Sequence, residues 1–219
     1  SIGIDGENPY SRRPDILGDQ YFLTDEPAPQ NEEAQKWARM NGKFWPRYNH
    51  GQFLQIMAEL ESDPAKKMNR MSAGQLKKTH IAFALACNVK HLYMDEPTNG
   101  LDIPSKTSFR SAVMKHTRED AVIVISTHPV RDLENIIDPI IILDRQDVLM
   151  NASIEEITSK LYFDYGKELH PDSYYSEQLP GGFIQVRPNR EGIESKVNIE
   201  ALFNAVHKQK EAMKALFTR

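Results

Sequence analysis

The stretch LYMDEPTNGLD, residues 92 to 102, sets two carboxylates, Asp95 and Glu96, side by side where an apolar run gives way to a Pro-Thr-Asn-Gly turn. An apolar strand ending in Asp-Glu carries both acids to the carboxyl end of a strand, the edge at which open α/β sheets bind ligands. One carboxylate of such a pair can help hold Mg²⁺ through its water shell, while the other takes a proton from water attacking a phosphate. The plainer alternative is a turn capped by Asp95 with Glu96 in solvent.

A second stretch, MSAGQLKK at 71 to 78, has Ser72 and Gln75 at the spacing of a capping box, with Ala73 and Gly74 between them carrying almost no side chain. A ligand could approach the free backbone N–H groups of that first turn, which attract anions. An ordinary helix start has the same form. A third, STHPV, puts His128 directly after the apolar run AVIVIS. A histidine there can hydrogen-bond a terminal phosphate or orient water, or it can be structural, with Pro129 opening a helix.

The elements that must position these residues follow from hydrophobic period and punctuation. Residues 1–30 are turn-rich, with the short apolar bursts IGI and YFL suited to strand ends. Residues 31–70 predict two helices, NEEAQKWARM and HGQFLQIMAELES, around the aromatic stretch GKFWPRY. From 71 to 150 the pattern alternates: a helix over 72–87, a strand at KHLYMD, a helix over 103–116, a strand AVIVIST, a short helix at PVRDLENII and a strand PIIILD. Such alternation predicts an α/β parallel sheet flanked by helices. One helix and one strand separate Glu96 from His128, the content of a single crossover, so both are expected at the same sheet edge. Residues 151–219 change character: a helix SIEEITSKLYF, a hairpin-like LPGGFIQVRPN, and a last helix. In that helix Ile199, Leu202, Phe203, Val206, Met213, Leu216 and Phe217 share a face, which either pairs with its own copy or covers a face of its own subunit.

Composition narrows the function classes. The 219 residues carry 27 Lys plus Arg against 31 Asp plus Glu, a net charge of −4 and a pI near 6.0, which argues against a nucleic-acid binder working through bulk charge. The single cysteine, Cys87, lies inside IAFALAC and excludes an intramolecular disulfide framework; it is expected as a small buried hydrophobe. The longest apolar runs, at 121–125 and 140–144, fall far short of the ~20 residues that span a bilayer. No signal-peptide pattern is visible, and a soluble cytoplasmic protein is expected.

In order and spacing, MSAGQ, HLYMDEP, TNGLD and STH resemble the signature motif, Walker B, D-loop and switch histidine of ATP-binding cassette (ABC) ATPases. The resemblance covers roughly residues 1–150, with IGIDGENP similar to the strand and turn after the first helix of such domains. It implies a P-loop NTPase-like sheet with a small helical subdomain at about 31–75, followed by a C-terminal α+β extension at 151–219. It also implies Glu96 as the general base, Asp95 on the Mg²⁺ shell and His128 at the γ-phosphate. Ser72, Ala73, Gly74 and Gln75 would contact ATP held by the opposite subunit of a head-to-tail dimer, and Asp102 would sit at the subunit boundary. The implied function is the ATP-hydrolysing subunit of an ABC transporter, on the inner face of the cell membrane, acting on a separate transmembrane subunit. ATP and Mg²⁺ are the implied ligands.

Three departures qualify the resemblance. Ala73 stands where the signature usually has glycine. The metal-side Gln of the Q-loop has no counterpart; Asp25 and Glu26 hold the closest positions. No Gly-x-x-x-x-Gly-Lys-[Ser/Thr] occurs anywhere: Gly42-Lys43 is followed by Phe44 and has Trp37 where the first glycine belongs, and Gly166-Lys167 is followed by Glu168 and has Leu161 there. Because that loop supplies the N–H cradle and the phosphate lysine, it is expected upstream of Ser1, and these residues alone are expected to be inactive. The alternative is a non-hydrolysing regulatory or interaction module built on a cassette remnant. GKFWPRYNHGQF, with Phe44, Trp45 and Tyr48, either receives the membrane subunit or packs the helical subdomain against itself.

Overall fold

A computed structural model describes residues 3–128, 130, 133, 136–145 and 147–217, and the chain divides into two compact units, Ser1–Pro129 and Val130–Arg219. The helix expected at PVRDLENII falls largely outside the described residues.

The first unit contains α1 (Pro14–Leu17), β1 (Gln20–Leu23), α2 (Ala34–Asn41), α3 (His50–Glu59), α4 (Ala73–Ala86), β2 (His91–Asp95), α5 (Ile103–His116) and β3 (Val122–Ser126). The three strands form one parallel sheet in the order β1-β2-β3, as the alternating pattern requires. Helix α4 packs against α3, β1 and α5. Its buried residues from Leu76 to Ala86 leave almost no polar face, which is why the segment reads as an apolar run rather than an amphipathic stripe. Asp102 opens α5, with Pro104 in the first turn, where a missing N–H costs nothing.

Phe83 of α4 is 1% exposed and stands at the centre of an aromatic cluster. Ring centroids lie at 4.7 Å for Trp37, 5.4 Å for Tyr48 and 5.6 Å for both Tyr21 and Trp45. The Trp45 indole N–H donates to the Gln20 carbonyl at 2.9 Å. Two of the three aromatics in GKFWPRY therefore pack inward, while Phe44 is 74% exposed. Cys87 is a buried free thiol, and burial pushes its pKa up, consistent with an inert core residue.

The second unit contains β4 (Ile140–Asp144), β5 (Asp147–Ala152), α6 (Ile154–Lys160), β6 (Leu161–Gly166), β7 (Tyr175–Leu179), β8 (Gly182–Pro188), α7 (Ile199–Lys208) and α8 (Lys210–Phe217). β4 pairs antiparallel with β5, so the strand PIIILD forms a hairpin with the segment that follows it. The compact units consequently part at Pro129, whereas the sequence pattern changes near 150. The other sheet runs β6-β8-β7, wholly antiparallel.

Two expected helices differ in extent. The helix expected to run through Leu161, Tyr162 and Phe163 stops at Lys160; those three residues instead begin β6 opposite Pro188, Arg187 and Val186. Cross-strand partners outweigh the helical period of a short segment. The last helix is interrupted at Gln209, giving α7 and α8. Ile199, Leu202, Val206, Met213 and Phe217 join the core of this unit and Leu216 packs against it, while Phe203 remains 41% exposed. The apolar face of the helix is thus used within its own subunit.

Candidate functional site

β2 and β3 run in register, with Met94 opposite Ile125 and Asp95 opposite Ser126, so the two strands end at one level. Asp95 Oδ1 accepts the Ser126 hydroxyl at 2.6 Å. The chain then turns through Glu96 with φ at 43°, the left-handed region. That conformation costs a residue with a Cβ roughly 1–2 kcal/mol, and it persists only where the surroundings over-determine it.

The surroundings of Glu96 do so. Its backbone N–H donates to the Ser126 carbonyl at 2.8 Å, and its carbonyl accepts the Asn99 N–H at 3.1 Å and Lys77 Nζ at 3.1 Å. Its carboxylate is held as firmly: Oε2 accepts the Thr127 hydroxyl at 2.9 Å and Oε1 accepts the His128 backbone N–H at 2.8 Å. Glu96 and His128 therefore meet at the same sheet edge, and the His128 side chain is exposed beside them.

At the start of α4 the capping box is formed in both directions. The Gln75 N–H donates to Ser72 Oγ at 3.3 Å, and the Ser72 N–H donates to Gln75 Oε1 at 3.2 Å. Ser72 and Ala73 are exposed. A Cβ on Gly74 would stand 3.2 Å from the Gly100 carbonyl, so the helix start abuts the TNGLD turn. Asp102 Oδ1 accepts the Ser105 N–H at 2.9 Å, a bond that caps α5; hydrogen bonding to the Ser105 side chain, ahead of that N–H, holds the Asp102 carboxyl below its usual range. The structure thus gathers Asp95, Glu96 and His128 at one edge, and it sets Ser72–Gln75 against the turn leading to Asp102.

Of the two acids at the Q-loop position, Asp25 is committed elsewhere. Its Oδ1 accepts Lys77 Nζ at 2.9 Å and Asn99 Nδ2 at 3.2 Å, and hydrogen bonding to Lys77, ahead of that to Asn99, lowers its pKa. Lys77, Asn99 and Thr127 did not stand out in the sequence. Nothing in the sequence singles Lys77 out, since Lys78, Thr79 and His80 follow it and the apolar run begins only at Ile81.

The donor set suits a hard cation at one position. Asp95 Oδ2 has no hydrogen-bond partner among the described residues, and no cluster of three acidic, histidine or cysteine side chains surrounds it. Mg²⁺ is commonly held by one or two carboxylates, with waters and substrate phosphates completing the shell, so the residues present fit that ion and no all-protein cage.

No family model matches the sequence. Among curated proteins, the chain is 34% identical over 95 residues to the cytochrome c biogenesis ATP-binding export protein CcmA of Brucella abortus, covering 41% of this chain and 44% of that protein. The chain spans less than half the length of the curated relatives it matches. Among solved structures, an ATP-binding subunit of an ABC transporter superposes with a TM-score of 0.62 at 18% identity, over 72% of this chain and 68% of that one. A dimeric ATP-binding cassette in a post-hydrolysis state with ADP and Pi bound gives 0.51 at 20% identity, over 60% and 63%. The structural likenesses establish the P-loop NTPase-like α/β fold of the ABC ATPases. Sequence relatives, structural neighbours and the order of the four motifs agree: this chain is similar to the ATP-binding subunits of ABC transporters.

Proposed function

We propose that the chain supplies the hydrolytic face of an ATPase that drives an ABC transporter, with ATP bound at an interface between two ATPase subunits. The observation that carries the proposal is the fixed carboxylate of Glu96, held in a left-handed turn at the carboxyl edge of a parallel sheet by Thr127 and the His128 N–H. Such pre-organisation is what general-base catalysis demands, because a base must be aimed before its pKa matters. Glu96 accepts the proton of the attacking water, and the His128 imidazole hydrogen-bonds the terminal phosphate. Bound Mg²⁺ supplies charge neutralisation on the phosphates, and Asp95 is the residue that would hold it.

Ser72 caps a 14-residue helix whose first turn holds Ala73, Gly74 and Gln75 and is exposed at Ser72 and Ala73; the helix dipole and the N–H groups of Ala73 and Gly74 favour an anion. These four residues meet the nucleotide held by the opposite subunit, with Asp102 at the boundary; the partner subunit is a second copy or a close relative. The cassette-like region runs to about residue 150, with its helical subdomain at about 31–75, and 151–219 forms a C-terminal extension. No helix among the described residues is long and apolar enough to cross a membrane, and a separate transmembrane subunit at the cytoplasmic face completes the transporter. The phosphate-cradling loop is not among these 219 residues, and the chain alone is expected to turn over no ATP.

Glu96→Gln in the ATP-hydrolysing protein that carries this sequence should lower kcat at least ~100-fold, the usual worth of a general base, while Mg-ATP still binds. Turnover at the parental rate would refute the role of Glu96.

A further inference from the structure

Lys77 is a buried cation beside the site that the proposed chemistry does not use. It lies on α4 two residues beyond Gln75, with its side chain only 5% exposed. A buried ammonium is strongly unfavourable unless its protons find acceptors, and three are present. Lys77 Nζ donates to Asp25 Oδ1 at 2.9 Å, to the Asp25 carbonyl, and to the Glu96 carbonyl at 3.1 Å. Asn99 closes the network: its Nδ2 donates to Asp25 Oδ1 at 3.2 Å and its backbone N–H donates to the Glu96 carbonyl at 3.1 Å. One ammonium group therefore ties the helix that begins at Ser72 to the loop after β1 and to the turn that bears Glu96.

We infer that Lys77 is a positioning residue through which the placement of the α4 N-terminus sets the geometry of Glu96. This rests on the hydrolytic role proposed for Glu96. The peptide at Glu96 is in a conformation that residues with a Cβ avoid, and a charge-assisted bond to its carbonyl offsets that cost. Without the ammonium, the turn is free to relax toward negative φ, which carries the carboxylate away from Thr127 and the His128 N–H. A shift of α4 on engaging a ligand at Ser72–Gln75 strains the same bond. Occupancy at the helix start is thereby communicated to the catalytic carboxylate through a rigid link of one side chain.

Amide hydrogen exchange on the 219-residue chain tests the link without nucleotide. In Lys77→Met, the amides of Asn99 and His128 should exchange about tenfold faster, as loss of one charge-assisted hydrogen bond implies, while Ile81 and Ala84 within α4 stay near the parental rate. Lys77→Arg, which keeps the charge and donors, should restore most of the protection. If Lys77→Met does not fold, Asp25→Asn, which removes the counter-ion at constant shape, should loosen the same two amides selectively. In the ATP-hydrolysing protein, Lys77→Met should lower kcat about tenfold with KM for Mg-ATP unchanged. Unaltered exchange at Asn99 and His128, exchange raised uniformly along α4, or an unaltered kcat would each overturn the inference. The exchange result does not depend on turnover, so a failure of the Glu96→Gln assay and a failure of the link remain distinct.

Discussion

Replacing Phe83 by alanine tests whether the aromatic stretch at 42–48 serves packing or docking. The ring is 1% exposed and in contact with Tyr21, Trp37, Trp45 and Tyr48. A buried Phe→Ala change costs ~3–5 kcal/mol through lost transfer energy and the cavity left behind. Aromatic pairs add ~0.5–1.5 kcal/mol each beyond area, and since four rings here share one partner the pair terms overlap; ~4 kcal/mol is a fair value for the whole. Against a domain stability of ~5–15 kcal/mol, that is a large loss. With a urea slope of ~2 kcal/mol/M, the unfolding midpoint should fall by ~2 M. The assay is built into the molecule, because its two tryptophans, Trp37 and Trp45, both touch Phe83. Intrinsic fluorescence should follow this one transition, and Phe83→Ala should red-shift native emission as water reaches the indoles. A midpoint shift below ~0.5 M with unchanged emission would show that the rings do not depend on one another. The packing account would then fail, and Trp45 and Tyr48 would return to consideration as a docking surface beside the exposed Phe44.

Other expectations are local. A Cβ on Gly42 would lie 2.1 Å from the Tyr48 ring, so Gly42→Ala should displace that ring and cost ~1–3 kcal/mol as over-packing does; an unchanged melting temperature would contradict the close approach. Glu59 of α3 receives Lys115 and the His116 ring of α5, and these contacts, led by Lys115, lower its pKa from 4.5 to about 2. A depressed carboxyl stabilises the fold above pH 4.5, and that stability is lost as pH falls through about 2. At full strength the shift amounts to ~3 kcal/mol, reduced by solvent screening to ~1–2, since 29% of the side chain is exposed. Glu59→Gln should flatten the acid limb of the stability curve between those two values, and an identical limb in the variant would refute the assignment.

Much of the first unit was legible because its signals are local. Ser72 and Gln75 announce the start of α4, Asp102 and Pro104 that of α5, and the apolar runs at 91–95 and 122–126 end where the acids and His128 begin. The second unit was less legible where strand and helix compete over a few residues. Leu161-Tyr162-Phe163 continues a helical period, yet joins β6 because Pro188, Arg187 and Val186 lie opposite. PIIILD has the apolar run of a parallel-sheet strand, yet it pairs antiparallel with the segment immediately after it, since a near neighbour in sequence costs the least chain entropy to reach.

The sequence by itself placed MSAGQ, DEP, TNGLD and STH at helix starts and strand ends, because caps and apolar runs are local signals, and the resemblance joined them into one candidate site. Only the tertiary structure decided how they are held. The register that sets Asp95 against Ser126, the left-handed turn at Glu96 and the burial of Lys77 against Asp25 depend on partners 31, 32 and 52 positions away along the chain. Spacing along a chain carries no record of such contacts, whose geometry arises when the sheet forms and α4 closes over it.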